Sequence, residues 1–371
     1  MLDASFSGVL EPALAAWEVP AAVVGVAVGE EETVVGFGCD PDTRFRIASI
    51  TKPFTALLAL ELLGLEERTG VWAPDVRVRH LLSHTSGYDC EIGELSSLER
   101  LAEELPHVRR WLGPEQVWSY SNAGYWLAGL LCAATDDASY EDALARRVLR
   151  PTGLEATAFD DPDVPGTGAD AGDGVYPVAR RPSGGLVSNV CDLLRFGRRL
   201  LGIPKLRIVH GKPVAGVYGL GLFGERVDGV EVWGHGGSWG GYQSSLLVVP
   251  DHGAVFVGLT NGSRGGKALW EAEQEFFRRL LGGERTLRPT LTLPRPALEA
   301  FSGTFANSEG WYEVEALAAK LAVTIDEERF EARPIAERTF EIVGGERVRE
   351  RFDFPREGFA RIGGRLAERV A

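Results

Sequence analysis

The chain has 371 residues, 44% of them hydrophobic and 25% charged, a balance that excludes a disordered or fibrous chain and allows a sizeable core. Its 53 Asp and Glu against 39 Lys and Arg leave a formal charge of -14, which repels phosphate backbones and anionic bilayers and argues against nucleic acid and membrane surfaces as partners. No apolar run reaches the ~18 residues of a membrane-crossing helix.

The first residues, acidic at Asp3 and Glu11, do not read as an export signal. Four scattered cysteines (Cys39, Cys90, Cys132, Cys191) form no C-x-x-C pair. They point to reduced thiols in a cytoplasm, and to neither a disulfide framework nor a metal cluster. Leu10, Leu14 and Trp17 predict a first helix, and residues 21–38 two short strands joined by an acidic turn. FRIASITKPFTALLALELLG predicts a buried helix with Ser49 at its start and Pro53 in its first turn. Residues 76–150 read as mainly helical, and the Asp-, Gly- and Pro-rich stretch 160–185 as a long loop. A helix is expected over 189–201, capped by Ser188 or Asn189 with Asp192 in its first turn. Over 217–260 the period changes to that of three antiparallel strands separated by Gly and Asp-Gly turns. An amphipathic helix follows at 268–282. Pro-punctuated residues 287–298 read as a linker between a main domain, 1–286, and a small all-β domain, 299–371. The fold class is α+β, an antiparallel sheet flanked by helices.

Three motifs carry less than they suggest. GGSWG (236–240) matches a nucleophile elbow, but a strand-like segment follows where a helix is required. Gly219, Gly221 and Gly224 fit G-x-G-x-x-G without a βαβ unit around them. His80 and His84 are spaced like zinc ligands, yet HLLSH lacks the metalloprotease Glu, so core and capping roles fit better. No metal and no cofactor is expected.

The stronger constellation starts at Ser49-Ile50-Thr51-Lys52. Three residues on lie on the same helix face, so the Lys52 ammonium reaches the Ser49 hydroxyl. A helix N-terminus under Ser49 favours developing negative charge, and the Ser49 N–H can donate to an oxyanion. By itself the tetrad is weak, because chance supplies S-x-x-K roughly 0.2 times in a chain with this few lysines. Tyr120-Ser121-Asn122 opens a second apolar helix. The Tyr120 hydroxyl there is a general base if a nearby ammonium lowers its pKa. Asn122 offers a donor and an acceptor to a substrate amide or ester. His235-Gly236-Gly237-Ser238 ends a strand whose small glycines let substrate lie along the edge, and the Ser238 N–H can complete an oxyanion hole with that of Ser49.

With FRIASITK, LLSHTSG, YSNAGYWLAG, PTGLEAT, SGGLVSNVCDLLRF and GHGGSWGGYQSSLLVVPD in order, residues 15–280 resemble the serine β-lactamase and penicillin-binding-protein superfamily. The likeness is greatest to its branch of class C β-lactamases, D-aminopeptidases, DD-carboxypeptidases and family VIII esterases. It implies a β-lactamase/transpeptidase-like fold with a helical subdomain. It makes Ser49 the acyl-accepting nucleophile, Lys52 its activator and Tyr120 the acid/base. Asn122 would bind substrate and orient Lys52, and Ser49 and Ser238 would supply the oxyanion hole. His235, Gly236 and Gly237 would line the substrate strand, and His84 of LLSHTSG would have a packing or turn role. His235 stands where many relatives carry the Lys of K-T-G. A neutral His holds a carboxylate poorly and a partly protonated one does so better. The tail resembles the small β-barrel domains of some peptidases in this group, which gate the site or mediate assembly.

The expected activity is that of a serine hydrolase using an acyl-enzyme to cleave an ester or a D-amino-acid amide or peptide. The alternatives are a DD-carboxypeptidase or β-lactamase, and a non-catalytic receptor or scaffold of the same fold. The expected partner is a small-molecule or short-peptide substrate, and an oligomer is compatible with the sequence.

Overall fold

A computed structural model describes residues 2–70, 73–89, 97–104, 107–172, 175–285, 290–345 and 347–371; Cys90 lies outside them. The chain opens with helix α1 (Ala4–Ala16), capped by the Asp3 carboxylate, which accepts from the Ser5 and Phe6 N–H groups. Strands β1 (Ala22–Val28) and β2 (Glu31–Phe37) form the expected hairpin. After β3 (Phe45–Arg46) the chain enters α2 (Thr51–Leu62). The stretch expected to be mainly helical holds α3 (Val78–Leu82), α4 (Leu98–Glu104), α5 (Asn122–Asp136), α6 (Tyr140–Leu144) and α7 (Arg150–Thr152). Residues 107–121 form no helix of four or more residues; their backbone groups bond to other segments, as in Trp111 N–H to Gly87 O and Ser119 N–H to His84 O.

A short helix α8 (Arg181–Gly184) and strand β4 (Val187–Ser188) lead to α9 (Val190–Leu201). Asn189 is its cap, accepting from the Asp192 N–H at 2.9 Å. The segment expected to give three strands gives five: β5 (Val217–Tyr218), β6 (Phe223–Val227), β7 (Val230–Trp239), β8 (Tyr242–Val249) and β9 (Ala254–Thr260). The first predicted strand is itself folded back at Asp228-Gly229. Both residues have positive φ, 49° and 80°, as a two-residue hairpin turn requires. Helix α10 (Gly265–Leu281) closes this part of the chain.

The sheet runs β2-β1-β9-β8-β7-β6-β5 and its paired neighbours are antiparallel. Its central strands are buried on both faces, which explains their near-continuous apolar runs. Ala21, Val23 and Ala27 face one core with Phe54 of α2, Trp126 of α5 and Leu194 of α9. Ala22, Val24 and Val26 face a second with Leu10 of α1 and Phe276 of α10. Each buried Val, Leu or Phe among them contributes roughly 1.5–3 kcal/mol of transfer free energy, and each Ala about 1 kcal/mol or less. A Cβ at Gly25 would stand 2.3 Å from Val190, so that glycine lets α9 lie close on the sheet.

Beyond α11 (Arg295–Glu299), inside the stretch read as a linker, eight strands form a closed barrel. They are β10 (Gly303–Asn307), β11 (Gly310–Ala316), β12 (Leu321–Ile325), β13 (Glu328–Ala336), β14 (Thr339–Ile342), β15 (Arg351–Arg356), β16 (Phe359–Ile362) and β17 (Arg365–Arg369). Neighbours pair antiparallel and β10 pairs with β17, which leaves no open edge. Phe305, Phe340, Phe352 and Phe354 fill its interior.

Candidate active site

Ser49 lies in a 3-10 turn, Ala48–Ile50, that runs directly into α2. Ala48 before it has φ 44°, a left-handed conformation that costs an L-residue about 1 kcal/mol or more and is held by its surroundings. The turn puts Ser49 Oγ 3.0 Å from Lys52 Nζ, one helical turn on, and 2.9 Å from the Tyr120 hydroxyl. Lys52 is 0% exposed. An ammonium so buried needs acceptors; Nζ donates also to Ser183 O at 2.7 Å and lies 4.7 Å from the centre of the Tyr120 ring.

Tyr120 directly precedes Ser121, whose hydroxyl caps α5 by accepting from the Gly124 N–H. Behind it the His84 ring lies 4.3 Å from the Tyr120 ring, centre to centre. His84 has φ 58° and its Nδ1 accepts from the Ser121 N–H at 3.0 Å. His80 Nδ1 accepts from the Arg77 N–H in the same way. Both histidines therefore direct Nδ1 to backbone, and no cluster of three or more metal-ligating side chains occurs among the described residues.

The third element is the free edge of β7. β6 pairs with β7 only as far as Phe223–Gly234, so, among the described residues, positions 235–239 of β7 pair with β8 alone. At Gly237 a Cβ would stand 2.2 Å from Ile47 O and 2.4 Å from Ser244 Oγ. The glycine is thus required by the approach of the strand to the turn that carries Ser49. At Gly236 the nearest atom to a Cβ is Ser244 O at 3.5 Å, ordinary contact.

His235 is 4% exposed, and its Nδ1 is 2.6 Å from Gly236 O. A carbonyl only accepts, so Nδ1 carries the proton of the neutral ring. Burial, then the nearby Lys52 charge, push its pKa down to about 3. The ring is therefore uncharged at neutral pH, and of the two states open to it in the sequence it takes the one that holds a carboxylate poorly.

Ser49, Tyr120, His235, Gly236, Gly237 and Ser238 line one cavity of about 670 Å³. Asn122, the first residue of α5, is half-buried and is not among the residues lining it; its contact with substrate stays a proposal. Beyond Ser238, Tyr176 from the long loop stands edge-on to Trp239 with ring centres 4.9 Å apart, and neither ring is among the residues lining the cavity. Two contributions escape a reading of the sequence. Ser183, within the SGGLVS block, holds Lys52 through its backbone carbonyl, which no side-chain identity reveals. Arg349, Arg351 and Arg365 of the barrel region also line the cavity, and so bring cations to it from a part of the chain that carries no local motif.

A family model described as "Beta-lactamase" matches residues 6–275. Penicillin-binding protein 4* of Bacillus subtilis is 24% identical over 276 residues, 59% of this chain and 61% of that protein. The match thus spans less than two thirds of that relative. The structure of SurE with D-Leu superposes with a TM-score of 0.80 at 23% identity, over 99% of both chains. That of a D-stereospecific amidohydrolase from Streptomyces sp. gives 0.64 at 25% identity, over 76% of this chain and 99% of the other. A family match over nearly three quarters of the chain coincides with the Ser-Lys-Tyr centre and the sheet that holds it, and the chain belongs to the β-lactamase family.

Proposed function

We propose that the protein is a serine hydrolase that works through an acyl-enzyme on Ser49 and cleaves an ester or a D-amino-acid amide or peptide. One observation carries this reading: Ser49 Oγ lies within hydrogen-bond reach of both Lys52 Nζ and the Tyr120 hydroxyl at the wall of a cavity. Lys52 stays as the buried ammonium, and Tyr120 as the anion takes the Ser49 proton while Oγ attacks the acyl carbon. Tyr120 then gives that proton to the leaving alcohol or amine. Water repeats the sequence to release the acid and free Ser49. The N–H groups of Ser49 and Ser238 are the proposed oxyanion donors, each worth about 10²–10³ in rate. Asn122 is proposed to bind substrate and to orient Lys52.

A neutral His235 supports esters and D-amino-acid amides over penicillins, because the substrate strand itself carries no cation to hold a penicillin carboxylate and the cavity's cations, Arg349, Arg351 and Arg365, come from the barrel side. The structural likeness to a D-stereospecific amidohydrolase supports the amide branch. Unpaired thiols at Cys39, Cys132 and Cys191 fit a reducing, cytoplasmic setting. Among the described residues no helix is long and apolar enough to cross a membrane.

The test is intact-mass spectrometry after incubation with a fluorophosphonate, with Ser49→Ala as control. One adduct on the wild type and none on the variant is the expected result. A panel of short esters, D-amino-acid amides and a penicillin then separates the substrate classes. No adduct on either protein would favour the non-catalytic receptor.

A further inference from the structure

The loop that carries Tyr120 is anchored on two sides. From its own domain, the Ser119 N–H donates to His84 O at 3.0 Å and the Ser121 hydroxyl to Asp89 O at 2.9 Å. On the other side each residue from Trp118 to Tyr120 is bonded to the barrel hairpin β16–β17. Arg361 Nη1 donates to Trp118 O at 2.9 Å, the Leu366 N–H to Ser119 Oγ at 3.0 Å, and the Tyr120 N–H to Gly364 O at 3.0 Å.

This hairpin is itself rigidly built. Ile362 pairs with Arg365 across Gly363 and Gly364, whose φ values of 58° and 78° make a two-residue turn that matches strand twist. Arg361 is 4% exposed. Its guanidinium is bidentate to Asp353 at 2.9 and 2.6 Å and reaches Lys212 O at 3.0 Å as well as Trp118 O. A planar fork with four N–H groups engaged and little water around it fixes its acceptors better than a flexible ammonium does. Leu366, fully buried, packs with Trp111 and Val117 beside it.

We propose, on the acyl-enzyme reading above, that the β16–β17 hairpin is a positioning element of the catalytic centre, with Arg361 as the residue that holds the Tyr120 hydroxyl on Ser49. Arg361 touches no reacting atom. It acts through the backbone of Trp118 and, with the Gly364 carbonyl, sets the direction in which the Tyr120 side chain leaves the chain. The stiff ring is a lever, so a small rotation of that backbone becomes a larger displacement of the hydroxyl.

The experiment compares the full chain with Arg361→Met made together with Asp353→Leu, so that no carboxylate is left buried alone. Arg361→Lys and Ser119→Ala are measured beside it. Fluorophosphonate labelling of Ser49 and the kcat and KM of an ester are followed from neutral to alkaline pH, with circular dichroism as the check on folding. The double variant should lose about 10- to 100-fold in labelling rate and kcat, as misplaced catalytic groups do, with KM little changed. The pH midpoint of kcat should move, and Arg361→Lys should restore part of the rate. Ser119→Ala, which removes the acceptor of the Leu366 N–H but changes no barrel residue, should shift both readouts in the same direction by less. Folded variants with wild-type rates and pH profile would overturn the proposal, whatever their melting temperature. If the double variant does not fold, Ser119→Ala decides by the same criterion. A wild type that takes no label would instead overturn the acyl-enzyme reading itself.

Discussion

At the scale of residues, the site is defined by who can give a proton to Ser49 Oγ. Lys52 Nζ and the Tyr120 hydroxyl both donate to it in this structure, so on the proposed acyl-enzyme reading one of them must lose its proton before Oγ attacks. Tyr120→Phe should therefore lower kcat by roughly 10²–10⁴ while leaving the fold intact, and Ser49→Ala should lower turnover at least as far. Steady-state kinetics on an ester, with circular dichroism alongside, checks both. Normal turnover in Tyr120→Phe would remove it from the acid/base role. His235 supplies a second prediction. Its folded pKa of about 3 lies below its ordinary 6.5, so on acidification the unfolded chain takes up a proton that the folded chain refuses. This contribution is complete above pH 6.5 and is lost as pH falls toward 3, by about 3 kcal/mol at pH 4. Urea unfolding at pH 7 and pH 4 should show a smaller loss for His235→Phe than for the wild type. An equal loss in the two proteins would contradict the assigned burial.

At the scale of elements, β7 is held to two demands at once. On the proposed reading its edge stays free for substrate, and its backbone must pass against the turn that carries Ser49. Gly237 meets the second demand, since a Cβ there would overlap Ile47 O and Ser244 Oγ. Gly237→Ala should destabilise by about 1–3 kcal/mol through this overlap and displace the nucleophile turn, with loss of most activity. Gly236→Ala, with its nearest neighbour 3.5 Å away, should stay within experimental error of wild-type stability. Chemical denaturation of the pair tests the contrast, and equal destabilisation would refute it.

At the scale of the whole molecule, the barrel and the sheet domain meet through directional bonds, partly or wholly buried except at the Arg109–Glu368 rim. The Asp89 carboxylate accepts from the Ser308 N–H at 3.1 Å and its hydroxyl at 3.0 Å. Arg361 reaches Trp118 O and Lys212 O, and Arg109 pairs with Glu368 across the same seam. Separating the two parts would break all of these together, so calorimetry should show a single unfolding transition. Ser308→Ala should lower stability by about 1 kcal/mol. Two resolved transitions in the wild type would mean that the barrel unfolds independently.

Much of this architecture is legible in the order of the residues. Period-2 and period-3.6 patterning places α1, β1, β2, α2, α9 and α10, because burial of a face leaves its mark on consecutive residues. The i, i+3 spacing of Ser49 and Lys52 puts them together, because one helical turn is a local geometry. The pattern underestimates the irregular chain at 107–121, since backbone bonds to distant segments leave weak signals in composition, and it merges β5, β6 and β7 although Asp228-Gly229 is itself a hairpin signal. Tertiary structure alone decides the rest. It brings Tyr120 across 71 residues to Ser49, leaves His235 uncharged, and sets three arginines of the barrel region against the cavity. Those outcomes depend on solvent exclusion and on contacts between residues far apart in the chain, and neither is a property of any local stretch of sequence.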